Sequence, residues 1–213
     1  MTDQQPPSLF VPGYYAAEDP AAIVRLYPFA LLVTHGSAGI HATSIPIFFE
    51  SHDSTATLVG HMARRNPHAN SLSEGQDVLA VFSGPHAYIS ASWYEKMPEV
   101  PTWNYVAAHV RGRIQPIDDP GEQISILRHT AAILERNSQM PWTLEQAPTG
   151  RVSTLLPMIR SFRIKVDRIE GVTKLSQTHP KEDRMRVAHK LLEQNDGNSH
   201  EIARLIRELA RDA

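Results

Sequence analysis

FALLVT at Phe29 to Thr34, followed by IHATSIPIFFE at Ile40 to Glu50, sets the fold class of this 213-residue chain. Each is a short β-rich run closed off by glycine, serine, aspartate or proline, the pattern of a strand ended by a turn. Working outward, Ala56 to Gly60, Asp77 to Ser83, Ala87 to Ser90 and Tyr105 to Pro116 repeat it. Short strands at this spacing predict an antiparallel sheet that closes into a barrel or sandwich. Ser161 to Val166 sets Phe162, Ile164 and Val166 against Arg163 and Lys165, a half-buried strand returning to the sheet.

The flanks read as helix. Asp19 can cap a helix reaching Leu26, with Pro20 in its first turn. Gly121 to Asn137 carries Ile124, Leu127, Ala131 and Leu134 at helical spacing, a face expected to pack on the barrel. The tail from Lys181 to Asp212 predicts two amphipathic helices joined around Asp196, Gly197 and Asn198. Their apolar positions are Val187, Leu191 and Leu192, then Ile202, Leu205, Ile206 and Leu209. Residues 1 to 13 are polar and Pro-rich, an extended lead-in. The expectation is a mostly β chain with flanking helices (α+β). Residues 1–178 form its barrel domain, and residues 179–213 form a C-terminal helical extension packed on the barrel or on a partner subunit.

Composition removes several function classes. With no cysteine, disulfide frameworks, thiolate zinc sites, iron–sulfur clusters and cysteine nucleophiles are excluded. The apolar runs fall far short of the ~20 residues that span a bilayer, and no charged leader precedes an apolar core. The reading is a soluble, cytoplasmic protein without a membrane partner. Twenty-one basic against 23 acidic residues give a formal net charge of −2, so nothing global draws the chain to nucleic acid. Eleven histidines are scattered without an HxxxH spacing, and nothing prompts a metal site. GxSxG, GxxxxGK[ST], HExxH and GxGxxG are all absent, and no triad is needed or found.

Three regions carry residues that folding alone does not require. GHMARRNPH, Gly60 to His68, combines His61, Arg64, Arg65 and Asn66 at a glycine-led turn. Guanidinium groups and backbone amides so placed can neutralise a phosphate dianion, although a solvated Asn-Pro turn would look the same. GPHAYISASWY and VPTWNY gather Tyr88, Trp93, Tyr94, Trp103 and Tyr105. Such a cluster can flank a planar ring while Ser90, Ser92 or Asn104 satisfies its polar edge, or it can be core or subunit interface. KLSQ, Lys174 to Gln177, follows the Gly171 turn; it could complete a phosphate cradle or be an exposed lysine at a strand end.

The order of LFVPGYYAAED, YPFALLVT, HATSIPIFF, GHMARRNPH, FSGPHAYISASWY, VPTWNYVAAHVRG and IEGVTKLSQ, over positions 9 to 178, resembles the PaiB-like family of FMN-binding negative transcriptional regulators, a branch of the flavin-binding split-barrel proteins. Arg65, Ala69 and Ala91 depart from the family's common residues. The resemblance implies a six-stranded FMN-binding split β-barrel with flanking helices, usually a homodimer with FMN at the subunit interface. It places Thr43, Ser44, Ile45 and Pro46 along the flavin ring and ribityl chain. It gives His61, Arg64 and Asn66 to the phosphate, with Met62 in the same turn motif. Trp103 and Asn104 would reach the flavin from the partner subunit, and Lys174, Ser176 and Gln177 form the closing motif.

Three functions are compatible with that resemblance. The first is a transcriptional regulator, with DNA as a possible partner. The tail offers little for DNA, since its seven basic residues (Lys181, Arg184, Arg186, Lys190, Arg204, Arg207, Arg211) meet seven acids, whereas a recognition helix needs a basic face. The second is an FMN-dependent oxidoreductase or flavin reductase, in which the cofactor carries the redox chemistry and no triad is needed; no nicotinamide site is recognisable. The third is a haem-binding split barrel with a histidine as axial ligand.

Overall fold

The computed structural model describes residues 8–37, 39–95 and 99–211. Residues 1–7 of the expected lead-in, and Asp212 at the end of the tail, lie outside the described residues. Six strands, β1 (Phe29–Gly36), β2 (Gly39–Ser51), β3 (Ser54–Ala63), β4 (Gln76–Ile89), β5 (Thr102–Ile117) and β6 (Ile159–Lys174), are joined by six helices. The helices are α1 (Pro20–Leu26), α2 (Pro67–Ser71), α3 (Pro120–Glu135), α4 (Arg151–Leu155), α5 (Lys181–Leu192) and α6 (Gly197–Leu209). The strands close into a barrel in the order β1-β2-β3-β6-β5-β4, which is the mostly β, α+β architecture expected.

The chain forms two compact units. One comprises Tyr27–Phe82 and His109–Ile169. It holds β1 to β3 and the stretches of β4 and β6 that pair with them. Leu32, Ile47, Leu58, Phe82, Ile114, Phe162 and Ile164 are fully buried there, as period-two alternation requires of a strand with one face inward. Phe162 faces Gly60 across the β3–β6 ladder. A Cβ on Gly60 would stand 2.7 Å from the Phe162 Cζ, so glycine is what lets the ring come this close to β3.

The other unit comprises Met1–Leu26, Ser83–Ala108 and Glu170–Ala213. Its core joins Ala87, Ile89, Tyr94 and Leu175 to Val187, Ala188 and Leu191 of α5 and Ile202, Ala203 and Ile206 of α6. The expected helical hairpin is present, and Asp196 accepts hydrogen bonds from Asn198 N and Ser199 N to start its second helix. Leu192 departs from the expected stripe and is 39% exposed.

Three expectations on element length and face are corrected. Asp77–Ser83 and Ala87–Ser90 are one strand, β4. Its ladder with β1 ends at Phe82, so Pro85, which has no N–H, interrupts no pairing with that neighbour. β6 runs eight residues beyond Val166; its polar continuation hides Glu170, whose carboxylate accepts from Ser8 N and Oγ at 2.9 and 2.8 Å. On α3 the buried face is Gln123, Ile126 and Thr130, with Ile126 packed on Val59 and Ile117, while Leu134 is 59% exposed. Gln123 can be buried because its Nε2 donates to Ile117 O at 3.1 Å. No helix among the described residues is long and apolar enough to cross a membrane.

Candidate functional site

The β2–β3 ladder begins to fail at the residues singled out by sequence. Pairing runs from Ser51–Ser54 to Ile47–Gly60 and stops. Beyond it, residues 40–46 of β2 stay paired with β1, and residues 61–63 of β3 stay paired with β6, but β2 and β3 no longer pair with each other. Strand alternation then divides the four β2 residues. Ile45 is buried and Thr43 half-buried, facing inward; Ser44 is exposed and Pro46 half-buried, facing outward. Ser44 stands opposite Leu31 and Pro46 opposite Phe29, so the outer surface here is an exposed apolar strip.

The turn after β3 is tied to this stretch by hydrogen bonds. Asn66 caps α2 by accepting from His68 N at 3.0 Å, and Pro67 occupies the first helical position. Asn66 Nδ2 also donates to Thr43 Oγ1 at 3.1 Å. His68, 1% exposed, bridges Thr34 Oγ1 through Nε2 and Thr43 Oγ1 through Nδ1, each at 2.9 Å. His41 stacks on it with ring centroids 5.4 Å apart, and the buried His41 Nε2 has no hydrogen-bond partner among the described residues. Burial, reinforced by the neighbouring His41, holds His68 below the ordinary histidine range, and burial alone does the same to half-buried His61. Met62 is buried and leaves only its backbone to a ligand.

These two histidines make stability depend on pH. Below about pH 6.5 the unfolded chain takes up protons that the folded chain refuses, so the stability present above that pH is lost as pH falls toward the lower folded values. Chemical denaturation at pH 7.5 and 5.5, above the carboxylate range, is expected to give a lower midpoint at pH 5.5. Equal midpoints would show that neither imidazole is held neutral by the fold.

Arg64 is anchored. Its Nε donates to Ile159 O at 3.1 Å and its Nη2 to Asp118 Oδ1 at 2.9 Å. Arg160 reaches the other carboxylate oxygen at 3.3 Å and donates to Ala69 O at 2.6 Å. The Arg64 hydrogen bond, helped by Arg160, holds Asp118 below the usual carboxylate range. Two guanidinium groups thus share one carboxylate, which leaves an excess positive charge. Exposed Arg65 adds another, with no ion pair or hydrogen bond among the described residues.

The remaining predicted residues lie in the other unit. Trp103 is 53% exposed, flanked by His86 and Tyr88 with centroids 5.8 and 6.1 Å away. Asn104, one position on, faces the opposite side of β5 and is fully buried. Its Nδ2 donates to Ser176 Oγ at 2.9 Å, and its Oδ1 has no hydrogen-bond partner among the described residues. Ser176 takes a left-handed backbone (φ 62), a conformation that costs a non-glycine residue energy and marks a constrained turn. Lys174 Nζ donates to Thr102 Oγ1 at 2.6 Å and lies over the Tyr15 ring. The Gln177 side chain closes the same turn, accepting from Leu175 N at 2.7 Å and donating to Thr173 O. The predicted residues therefore fall in two groups, one in each unit, with Thr43 joined to Asn66 in the first and Asn104 to Ser176 in the second. Sequence reading missed His68, Asp118 and Arg160; the Asn-Pro start of α2 was visible, but no spacing distinguished His68 from ten other histidines.

Comparison with known proteins gives this arrangement its context. A family model described as "Putative FMN-binding domain" matches residues 9–168. The chain is 31% identical over 205 residues to Protease synthase and sporulation protein PAI 2 of Bacillus subtilis (strain 168), spanning 94% of this chain and 97% of that protein. Its fold is similar to the flavocytochrome Anf3 from Azotobacter vinelandii, with TM-score 0.56, 14% identity and coverage of 80% of this chain and 74% of that one. It is equally similar to the conserved hypothetical protein Rv2991 from Mycobacterium tuberculosis, with TM-score 0.56, 14% identity and coverage of 81% and 94%. At that identity these two structures speak to the fold alone, and they agree with the barrel. A family model spanning most of the chain, together with a relative matched over nearly its whole length, places the resemblance seen in the sequence on firm ground: the chain belongs to the PaiB-like family of FMN-binding proteins.

Proposed function

We propose that FMN lies along residues 43–46 of β2 with its phosphate at the Arg64–Asn66 turn, at the interface of a cytoplasmic homodimer that acts as a negative transcriptional regulator. The observation that carries this reading is the exposed strip on β1 and β2, where Phe29, Leu31 and Ile40 accompany Ser44 on one outer face. A planar ring and a second subunit would cover apolar surface that water now meets. The donor set fits the cofactor. Arg65 and the Arg64–Arg160–Asp118 cluster supply net positive charge for a phosphate dianion. Half-buried, neutral His61 offers a hydrogen bond without a second charge. Thr43 has its hydroxyl engaged by Asn66 and His68, so it and Ile45 contribute backbone, and Ser44 alone of the four contributes a free hydroxyl. When bound, the flavin would supply hydride or electron transfer chemistry; the protein would bind it, orient it and exclude water. Trp103, Lys174, Ser176 and Gln177 are assigned to the flavin's far side as groups of the partner subunit, while buried Asn104 holds Ser176 in place.

Arg64→Ala is expected to weaken FMN by ~10- to 150-fold, the loss of a charge-assisted hydrogen bond, measured by flavin fluorescence titration. Unchanged affinity would remove Arg64 from the phosphate site.

The regulatory role draws on the relative named for protease synthase and sporulation. In the tail, Arg186, Lys190 and Arg204 are each paired with nearby acids, which weighs against a basic recognition face there. A reductase would bleach its flavin with NADH or NADPH anaerobically at a useful rate. A regulator would not, and would instead shift a promoter fragment more strongly as salt falls. Rapid bleaching without a shift would reverse the assignment.

A further inference from the structure

The 23 residues between α3 and β6 form a pre-built wall. Thr143 N donates to Gln146 Oε1 at 3.0 Å, Trp142 N to Glu135 Oε2 at 3.2 Å, and Arg128 pairs with Glu145 at 2.6 Å. Gly150 takes φ 76, a left-handed turn, and its carbonyl accepts from Ser153 Oγ and Thr154 Oγ1. A half-open cavity of about 370 Å³ is lined by Leu127 of α3 with Trp142, Leu144, Val152, Leu155 and Leu156. Its walls are almost wholly apolar, and its volume lies in the range of small-molecule sites.

One charged side chain lines it. Arg151 is exposed and makes no ion pair among the described residues, whereas Glu145 is taken by Arg128 and Glu135 by the Trp142 backbone. A hydrocarbon pocket with a single unneutralised guanidinium is complementary to a molecule with an apolar body and one anionic head, since a guanidinium binds carboxylate bidentately. We propose that this cavity binds a small apolar monocarboxylate, of the medium-chain fatty acid or arylcarboxylate class, with the chain against Leu127, Trp142 and Leu155 and the carboxylate on Arg151. The cavity adjoins the proposed phosphate turn, since Ile159 lines it and accepts from Arg64 Nε, but Arg151 has no part in the flavin assignment.

Decanoate, titrated into the full chain by calorimetry below its micelle concentration, is expected to bind saturably at one per chain and to change the fluorescence of Trp142. Arg151→Gln, at an exposed position, should weaken binding by about ten- to 150-fold, and decanol should bind the native chain more weakly by a similar factor. Leu155→Trp should fill the cavity and abolish binding, and Trp142→Phe should remove the optical change while calorimetric binding persists. FMN affinity should be the same in Arg151→Gln, so loss of flavin binding and loss of decanoate binding are separable. No saturation, equal affinity in Arg151→Gln, displacement of decanoate by FMN, or an apolar face sealed by a second copy in sedimentation with no room for decanoate would each overturn the proposal.

Discussion

Phe162→Ala is expected to lower the unfolding free energy by about 3 to 5 kcal/mol, the range for deleting a buried aromatic ring. Against a total stability of roughly 5 to 15 kcal/mol, that is a large share, and denaturant unfolding should show a midpoint collapse with little change in slope. The size follows from position. Phe162 is fully buried, lies opposite Gly60, and fills space that no neighbouring side chain can reclaim, because Gly60 has none. Adding a methyl from the other side tests the same contact: Gly60→Ala would bring a Cβ to 2.7 Å from the ring and 3.1 Å from Pro46 O. An overpacking cost of about 1 to 3 kcal/mol is expected there. A loss below about 1 kcal/mol for Phe162→Ala would mean that the barrel interior is not packed as described.

His68→Ala is the second large effect, expected at about 3 to 5 kcal/mol. It removes the ring partner of the Thr34 hydroxyl and leaves Thr43 with Asn66, at roughly 1 to 3 kcal/mol for the group left unsatisfied, and opens a cavity beside His41 that adds the rest. The same substitution unpins the α2 end of the Arg64–Asn66 turn from β2, so FMN should bind more weakly in the fraction that still folds. His68→Gln, which can keep one of the two hydrogen bonds, should recover part of the stability. Equal stability of native chain and His68→Ala would show that the bridge carries no weight. Unchanged FMN affinity in a destabilised variant would show that the turn is positioned by Arg160 and Arg64 alone.

Much of the fold was legible because one face of each strand is buried and glycine, proline and aspartate close the runs. In β6 the buried Phe162 and Ile164 alternate with Arg163 and Lys165, and Asp19, Asp119 and Asp196 each cap the helix that follows them. What escaped notice depended on tertiary partners. Pro85 looks like a strand breaker, yet β4 has already left β1 when it arrives. The run beyond Val166 looks too polar for a strand, but Glu170 is buried against Ser8. Gln123 and Thr130 look like solvent-facing residues of α3, yet they share the buried face with Ile126. Within the candidate site, the residue types around the phosphate turn were visible at once, but not which of them are already occupied. Nothing in GHMARRNPH says that Arg64 is shared with Asp118, that Arg65 has no ion pair among the described residues, or that His68 bridges two strands. Those facts belong to side chains 34, 43 and 118, distant in sequence.

The measurement that tests the account most directly is an absorbance spectrum of the purified protein from 300 to 600 nm, taken before and after adding FMN and desalting. The account predicts flavin bands that stay with the protein, one per chain, and that are released far more readily from Arg64→Ala. A protein that remains colourless after FMN is added and removed would contradict it, and a sharp band near 400 nm without flavin would assign the barrel to haem instead.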